Sequence, residues 1–223
     1  MCIRDRISPL LFGNIDPSHI RIEFETAFRD MVIFSKKRYV GRYMIKKGRP
    51  EDGYEWKGLE YVRSDTPQIV KNIQENLGIS MLNDEPWSKR KEYLDKLADR
   101  IMNKELTFHE VGSPRQLKKD PEEYKALQPH VAGSLYSNVW LGTNFKKGDK
   151  PMWCYVNVEK GTVSNTNAIA YMSDTPIPDV YKIDYDKVID RMIQPKISNF
   201  LSVMGEKYVM PRPSRGTLDY FWG

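Results

Sequence analysis

The stretch FSKKRYVGRYMIKKGR, residues 34–49, carries seven Lys or Arg between positions 35 and 49 and no Asp or Glu. Its Tyr39-Val40-Gly41-Arg42-Tyr43 tract reads as a β-strand, with Lys36, Lys37 and Arg38 directly at its start. Alternate residues of a strand point to opposite faces, so Lys37 and Tyr39 share one side and Lys36 and Arg38 the other. A ribbon charged in this way suits a phosphate backbone or the edge of a groove. It equally suits an edge strand that lysines guard against aggregation. The stretch alone leaves both readings open.

Upstream, HIRIEFET at 19–26 alternates apolar and charged residues, the pattern of a half-buried strand. Residues 29–34 continue as a second strand and 38–45 as a third. Gly48, Pro50, Asp52 and Gly53 then mark a loop. Residues 56–62 lead into Ser64-Asp65-Thr66-Pro67, where Asp65 or Thr66 is placed to cap a helix with Pro67 in its first turn. Ile69, Val70, Ile73 and Leu77 give that helix its apolar stripe, and Gly78 falls near its end. A second helix is predicted over 86–103. Residues 112–128 are polar and broken by two prolines. A short helix over 129–141 turns Val131, Leu135 and Val139 inward, and strands follow at 152–158 and 168–172. Residues 184–204 form a long amphipathic helix that Pro195 kinks or splits near Gln194. The class is α+β: a small antiparallel sheet, then a mainly helical part with a short β insertion.

Composition bounds the function. With 40% hydrophobic and 29% charged residues over 223 positions, the chain can bury a core. A net charge of +5 is too small to identify a nucleic-acid partner, so the clustering of cations matters more than their sum. No apolar run reaches the ~18 residues of a membrane span. Two cysteines, Cys2 and Cys154, give no disulfide framework and fit a reduced intracellular setting. His19, His109 and His130 are isolated from one another and lack the spacing of a zinc site. The opening MCIRDR resembles a translated transposon-end sequencing adapter; on that reading Met1 is not a biological start and the chain is the tail of something longer.

Four stretches in fixed order carry a family resemblance: KKRYVG at 36–41, KGLEYVRSDTP at 57–67, YKALQPHV at 124–131 and VIDRMIQPKISNFL at 188–201. Together they resemble the C-terminal part of a family B DNA polymerase, over roughly residues 18–210. The resemblance implies the end of the palm at 7–65, the thumb at 66–205 and a tail at 206–223. It implies a primer–template duplex as partner, no membrane, and the cytoplasm of an archaeal cell or of a virus-infected host as the setting. Lys36, Lys37 and Tyr39 match the family's duplex-facing Lys-Lys-x-Tyr strand, with Arg38 on the solvent side. Lys57 and Arg63 match basic positions of the palm–thumb junction, and Lys125 and His130 lie in a thumb segment near the duplex. His130 also fits a packed helix start, and Glu60 and Asp65 fit structural roles. Ser64 departs from the family, many of whose members carry a second Arg there.

Polymerase chemistry uses carboxylates that hold two magnesium ions. The family's DxxSLYPS and DTDS motifs occur nowhere here, and Asp16 and Asp30 lack their context. Mg2+ is therefore expected in a longer enzyme, and the 223 residues alone are expected to be inactive. In the tail MPRPSRGTLDYFWG, Leu218, Phe221 and Trp222 resemble the peptide with which replicative polymerases dock on a sliding clamp, although Arg215 stands where that motif usually has Gln. Packing of these aromatics on the thumb is the other reading of the tail. For the whole chain, the other reading is a stand-alone nucleic-acid-binding protein without polymerase activity.

Overall fold

The computed structural model describes residues 25–158 and 163–215. The mixed α+β class is observed: a three-stranded sheet opens the described chain, and helices with a second, small sheet follow. The strand expected at 19–26 lies almost wholly outside the described residues.

Strands β1 (Thr26–Ser35), β2 (Arg38–Lys46) and β3 (Arg49–Lys57) pair in the order β1-β2-β3. The loop expected around 48–53 is instead most of β3. The turn is confined to Lys47 and Gly48, whose φ angles of 49° and 74° match the two-residue connection that suits a twisted hairpin. Among the described strands β3 lies at the sheet edge, where Pro50 is tolerated because no donor is needed on the outer side. Gly53 is required for space, since a Cβ there would stand 2.4 Å from the Tyr43 hydroxyl.

The chain divides into two compact units, Met1–Met31 with Val40–Glu55, and Val32–Tyr39 with Trp56–Gly223. In the first, Arg42 pairs with Asp52 at 3.0 Å, and Lys46 lies 3.7 Å from Glu55 and over the Tyr43 ring.

The second unit is built on α1 (Gln68–Leu82), α2 (Trp87–Met102) and a C-terminal helical run. Ile69, Val70, Ile73 and Leu77 of α1 and Leu94, Leu97 and Ile101 of α2 are buried, as the 3.6-residue period predicts. Each such side chain contributes about 1.5–3 kcal/mol relative to exposure. The helix start differs from expectation. Pro67 is itself the N-cap residue, without a side-chain cap bond, and the Asp65 carboxylate is held by arginines instead. Gly78 is not a terminator. It sits inside α1 where a Cβ would fall 2.5 Å from the Trp56 ring, so the glycine makes room for the indole.

Short elements connect these helices. Thr107 and Glu110 form a reciprocal capping box on α3 (Phe108–Val111). Strands β4 (Ser113–Pro114), β5 (Met152–Asn157) and β6 (Ala168–Tyr171) pair antiparallel in that order, and β7 (Lys182–Ile183) pairs with β5. Helix α4 (Pro129–Trp140) lies on β6. A Cβ at Gly133 would be 2.9 Å from the Ile169 carbonyl carbon, and Ser137 Oγ accepts the Ala170 N–H at 3.0 Å. Where α4 meets β6, its residues Gly133 and Ser137 are therefore small. Val131 is buried as expected, but Leu135 is half-buried and Val139 is 73% exposed.

The C-terminal run begins at α5 (Tyr185–Val188), capped by the Asp184 carboxylate, and continues through α6 (Gln194–Leu201) to a 3-10 turn at Ser202–Met204. The helical run passes Pro195 without ending, but its α-register is interrupted just before the proline, near the expected Gln194. A π-turn at Ile189–Ile193 precedes the proline, which lacks the amide a regular helix would use there. Beyond it the chain is strapped back: Gln194 exchanges hydrogen bonds of 2.8 Å with the Tyr208 carbonyl and the Met210 amide, and buried Arg90 pairs with Glu206. Among the described residues, no helix is long and apolar enough to cross a membrane.

Candidate nucleic-acid interface

Lys36 and Lys37 are not strand residues. They form the two-residue turn between β1 and β2, both are exposed, and Lys37 has φ 63°. The alternation of faces inferred from sequence therefore does not apply to them. A left-handed backbone at a residue with a Cβ costs about 1–2 kcal/mol, and the structure around Lys37 holds it there. The Lys37 carbonyl lies against Gly58, where a Cβ would come within 2.3 Å of its oxygen. Neither lysine makes an ion pair or side-chain hydrogen bond among the described residues, so two ammonium groups stand in solvent on a fixed turn.

Arg38, assigned to solvent from the sequence, is tied down. Its Nε donates to the Gly58 carbonyl at 3.2 Å and its Nη2 to Glu60 Oε2 at 3.2 Å. Glu60, in the 3-10 turn Glu60–Val62, also accepts from Lys196 Nζ of α6 at 2.8 Å and from Gln74 Nε2 of α1 at 2.7 Å. Gln74 in turn accepts the Tyr61 amide at 2.8 Å. Three of the four recognisable stretches thus meet at one carboxylate. Partial burial disfavours its charge, but the bonds from Lys196 and Gln74 overcome this and hold the Glu60 carboxyl down at about 2.

A second carboxylate organises the neighbouring cations. Arg63 grips Asp65 with two parallel bonds of 2.9 Å, and Arg115 reaches the same group at 2.6 Å. The Arg63 guanidinium keeps Asp65 below the usual carboxylate range against the opposing effect of burial. Arg115 is placed by the small sheet: its amide donates to the Pro151 carbonyl at 2.9 Å, next to the β4–β5 ladder, while Ser113 Oγ donates to the Asp65 carbonyl. Beside this pair opens a cleft of about 270 Å³, lined by Glu60, Arg63, Trp153, Tyr155, Arg191 and Lys196 among others.

The remaining sequence candidates are more scattered. Lys57 is exposed at the end of β3, and Tyr39 is half-buried in β2. Lys125 is exposed ahead of α4, with no ion pair to the group just described. His130 is buried at the start of α4 against the edge of Tyr124, and burial, with Arg115 adding to it, lowers its pKa. Leu218, Phe221 and Trp222 lie outside the described residues. The roles of Gln74, Arg115, Arg191 and Lys196 had no local signal in the sequence, because each depends on a long-range contact or on the cleft. Among the described residues, no group of three or more His, Cys, Asp or Glu is placed to hold a metal ion.

The site thus comprises an exposed lysine turn, a carboxylate hub tied to its Arg38, and a cleft lined by arginines, a lysine and two carboxylates. The model of DNA polymerase family B matches residues 8–204, and the chain belongs to that family. It is 29% identical to the DNA polymerase of Methanocaldococcus jannaschii over 215 residues, covering 92% of this chain and 12% of that protein. It is 27% identical to DNA polymerase II of Escherichia coli (86% of this chain, 24% of that one). With the bovine DNA polymerase delta catalytic subunit it shares 24% identity (85% and 17%). The chain thus spans a quarter or less of the length of these relatives.

Proposed function

We propose that this chain is the duplex-holding part of a DNA-directed DNA polymerase, with the palm end at 7–65, the thumb at 66–205 and a clamp-docking tail at 206–223. Template-directed nucleotide addition belongs to a longer enzyme whose Mg2+-binding carboxylates are not among the motifs of this chain. The residues here bind and position the duplex, and alone they do not synthesise DNA. The observation that carries this reading is the Lys36-Lys37 turn, two exposed cations on a backbone locked by Gly58 and Arg38. Cations so held meet phosphates, and minor-groove acceptors that differ little between base pairs, which suits an enzyme that must hold any sequence. Tyr39, Lys57, Arg63 and Lys125 extend the contact.

Lys37→Ala in the complete enzyme should weaken duplex binding alike for all sequences and reduce the salt slope by roughly one charge. Unchanged affinity and processivity would remove Lys37 from the site. For the tail, Leu218, Phe221 and Trp222 supply one aliphatic and two aromatic anchors for a hydrophobic pocket on a clamp. Deleting residues 217–223 should abolish clamp-stimulated synthesis and spare clamp-free synthesis. Equal stimulation with and without the tail would assign those aromatics to packing.

A further inference from the structure

The geometry points to a nucleotide-phosphate site in the cleft beside Asp65, with Arg191 as its principal ligand-binding residue and Arg63 and Lys196 flanking it. The inference deepens the nucleic-acid reading above and rests on it. Two of the cleft's cations are committed inside the protein: Lys196 to Glu60 and Arg63 to Asp65. Arg191 is different. It lines the cleft, is exposed and makes no ion pair or side-chain hydrogen bond among the described residues. Both carboxylates of the lining are already engaged by other groups, Glu60 also by Arg38 and Asp65 also by Arg115. Five cations therefore surround two carboxylates, and the guanidinium fork of Arg191 is left for an outside acceptor.

The backbone explains how Arg191 reaches this position. On a regular α-helix, residues five apart point roughly 140° away from each other. Arg191 and Lys196 nevertheless line one cleft, together with Met192. The π-turn at Ile189–Ile193, with its i→i+5 bonding ahead of Pro195, widens the helix so that residues five apart approach one side. The same cleft is lined by Trp153 and Tyr155, half-buried and edge-to-face at 5.2 Å. Cations and aromatic rings lining one small cleft match the chemistry of a nucleotide, whose phosphate takes the guanidinium and whose sugar or base takes the ring surface.

The ligand is a phosphate carried on a nucleotide, from either a free mononucleotide or an internal phosphodiester of a strand. The test titrates the 223-residue chain with a fluorescent octathymidylate across a salt series, and repeats it with deoxyadenosine monophosphate and inorganic phosphate as competitors. Arg191→Gln should weaken the oligonucleotide about tenfold at low salt, the loss of one charge-assisted contact. Arg191→Lys should recover only part of that loss, because an ammonium lacks the fork. Competition by the monophosphate that disappears in Arg191→Gln identifies a free-nucleotide source; its absence beside an intact Arg191 effect identifies a strand phosphodiester. Equal affinity for the parent and Arg191→Gln overturns the inference, as does full recovery by Arg191→Lys, which would mean diffuse charge without a site. Lys37→Ala, titrated in parallel against a duplex oligonucleotide, separates the two readings. Loss there with no effect at Arg191 leaves the duplex-holding surface standing and removes the cleft.

Discussion

Replacing Glu60 by Gln removes the one negative charge on which Lys196, Arg38 and Gln74 converge within 3.2 Å. The folded carboxyl titrates at about 2 against an ordinary 4.5, a difference worth about 3 kcal/mol of linkage at most. The Arg38 and Lys196 side chains are each 32% exposed, so solvent screening reduces the net figure to about 2 kcal/mol. The sign follows from which state binds protons first. Below about pH 5 the unfolded carboxyl protonates while the folded one does not, so this stability is complete above the unfolded pKa and is lost as pH falls towards 2. Denaturant unfolding at fixed ionic strength, from pH 7 to 2.5, reads it directly. The parent should lose about 2 kcal/mol more than Glu60→Gln over that interval, with m unchanged. Lys196→Met should shift the parent's loss to higher pH by removing the strongest bond to the carboxylate. Parallel stability curves for parent and Glu60→Gln would refute the hub, and with it the idea that the carboxylate locks the lysine turn to α6.

The strained turn offers a separation of stability from binding. Lys37→Gly relieves a φ of 63° and should raise unfolding stability by up to about 1 kcal/mol, while lowering duplex affinity as Lys37→Ala does; thermal melting and a salt-series binding assay check the two halves. Gly58→Ala should do the reverse, because its φ of 66° and the 2.3 Å approach to the Lys37 carbonyl cost about 1–3 kcal/mol together; an unchanged melting temperature would contradict the close approach. His130 is held neutral by burial, so the unfolded chain protonates first as pH drops below about 6.5 and stability falls with it; His130→Gln should flatten the stability profile between pH 7 and 5.

Much of the fold was legible where one periodicity dominates. The apolar stripe of α1, the extent of α2 and the strands at 152 and 168 follow from local pattern, since their runs of apolar residues are the ones that the fold buries. The misreadings share a cause, which is that small residues say little in sequence about what they touch. Gly78 and Gly53 read as punctuation, yet each leaves room for an aromatic ring from elsewhere in the chain. In α4 the apolar spacing of Val131, Leu135 and Val139 misidentified the inner face, because Gly133 and Ser137 approach β6 more closely than larger side chains allow. The functional surface was legible in part. Its lysines stand in a recognisable order, but the Glu60 hub beside them joins residues 22 and 136 positions apart, beyond the reach of pattern.

Ion pairing also alters what the basic run means. Of the seven cations between 36 and 49, Arg38, Arg42 and Lys46 are matched by Glu60, Asp52 and Glu55. The four left are Lys36 and Lys37 in one hairpin turn, Lys47 in the other and Arg49 at the start of β3, while the charge of β2 is matched along its length. Both turns place a lysine in the left-handed region, where glycine or asparagine would sit with less strain. An edge strand guarded against aggregation needs its lysines along the strand, not at its turns. A turn that keeps lysine in a costly conformation, backed by a glycine that cannot be enlarged and an arginine bonded to the same glycine, is what the proposed contact through its tip would require.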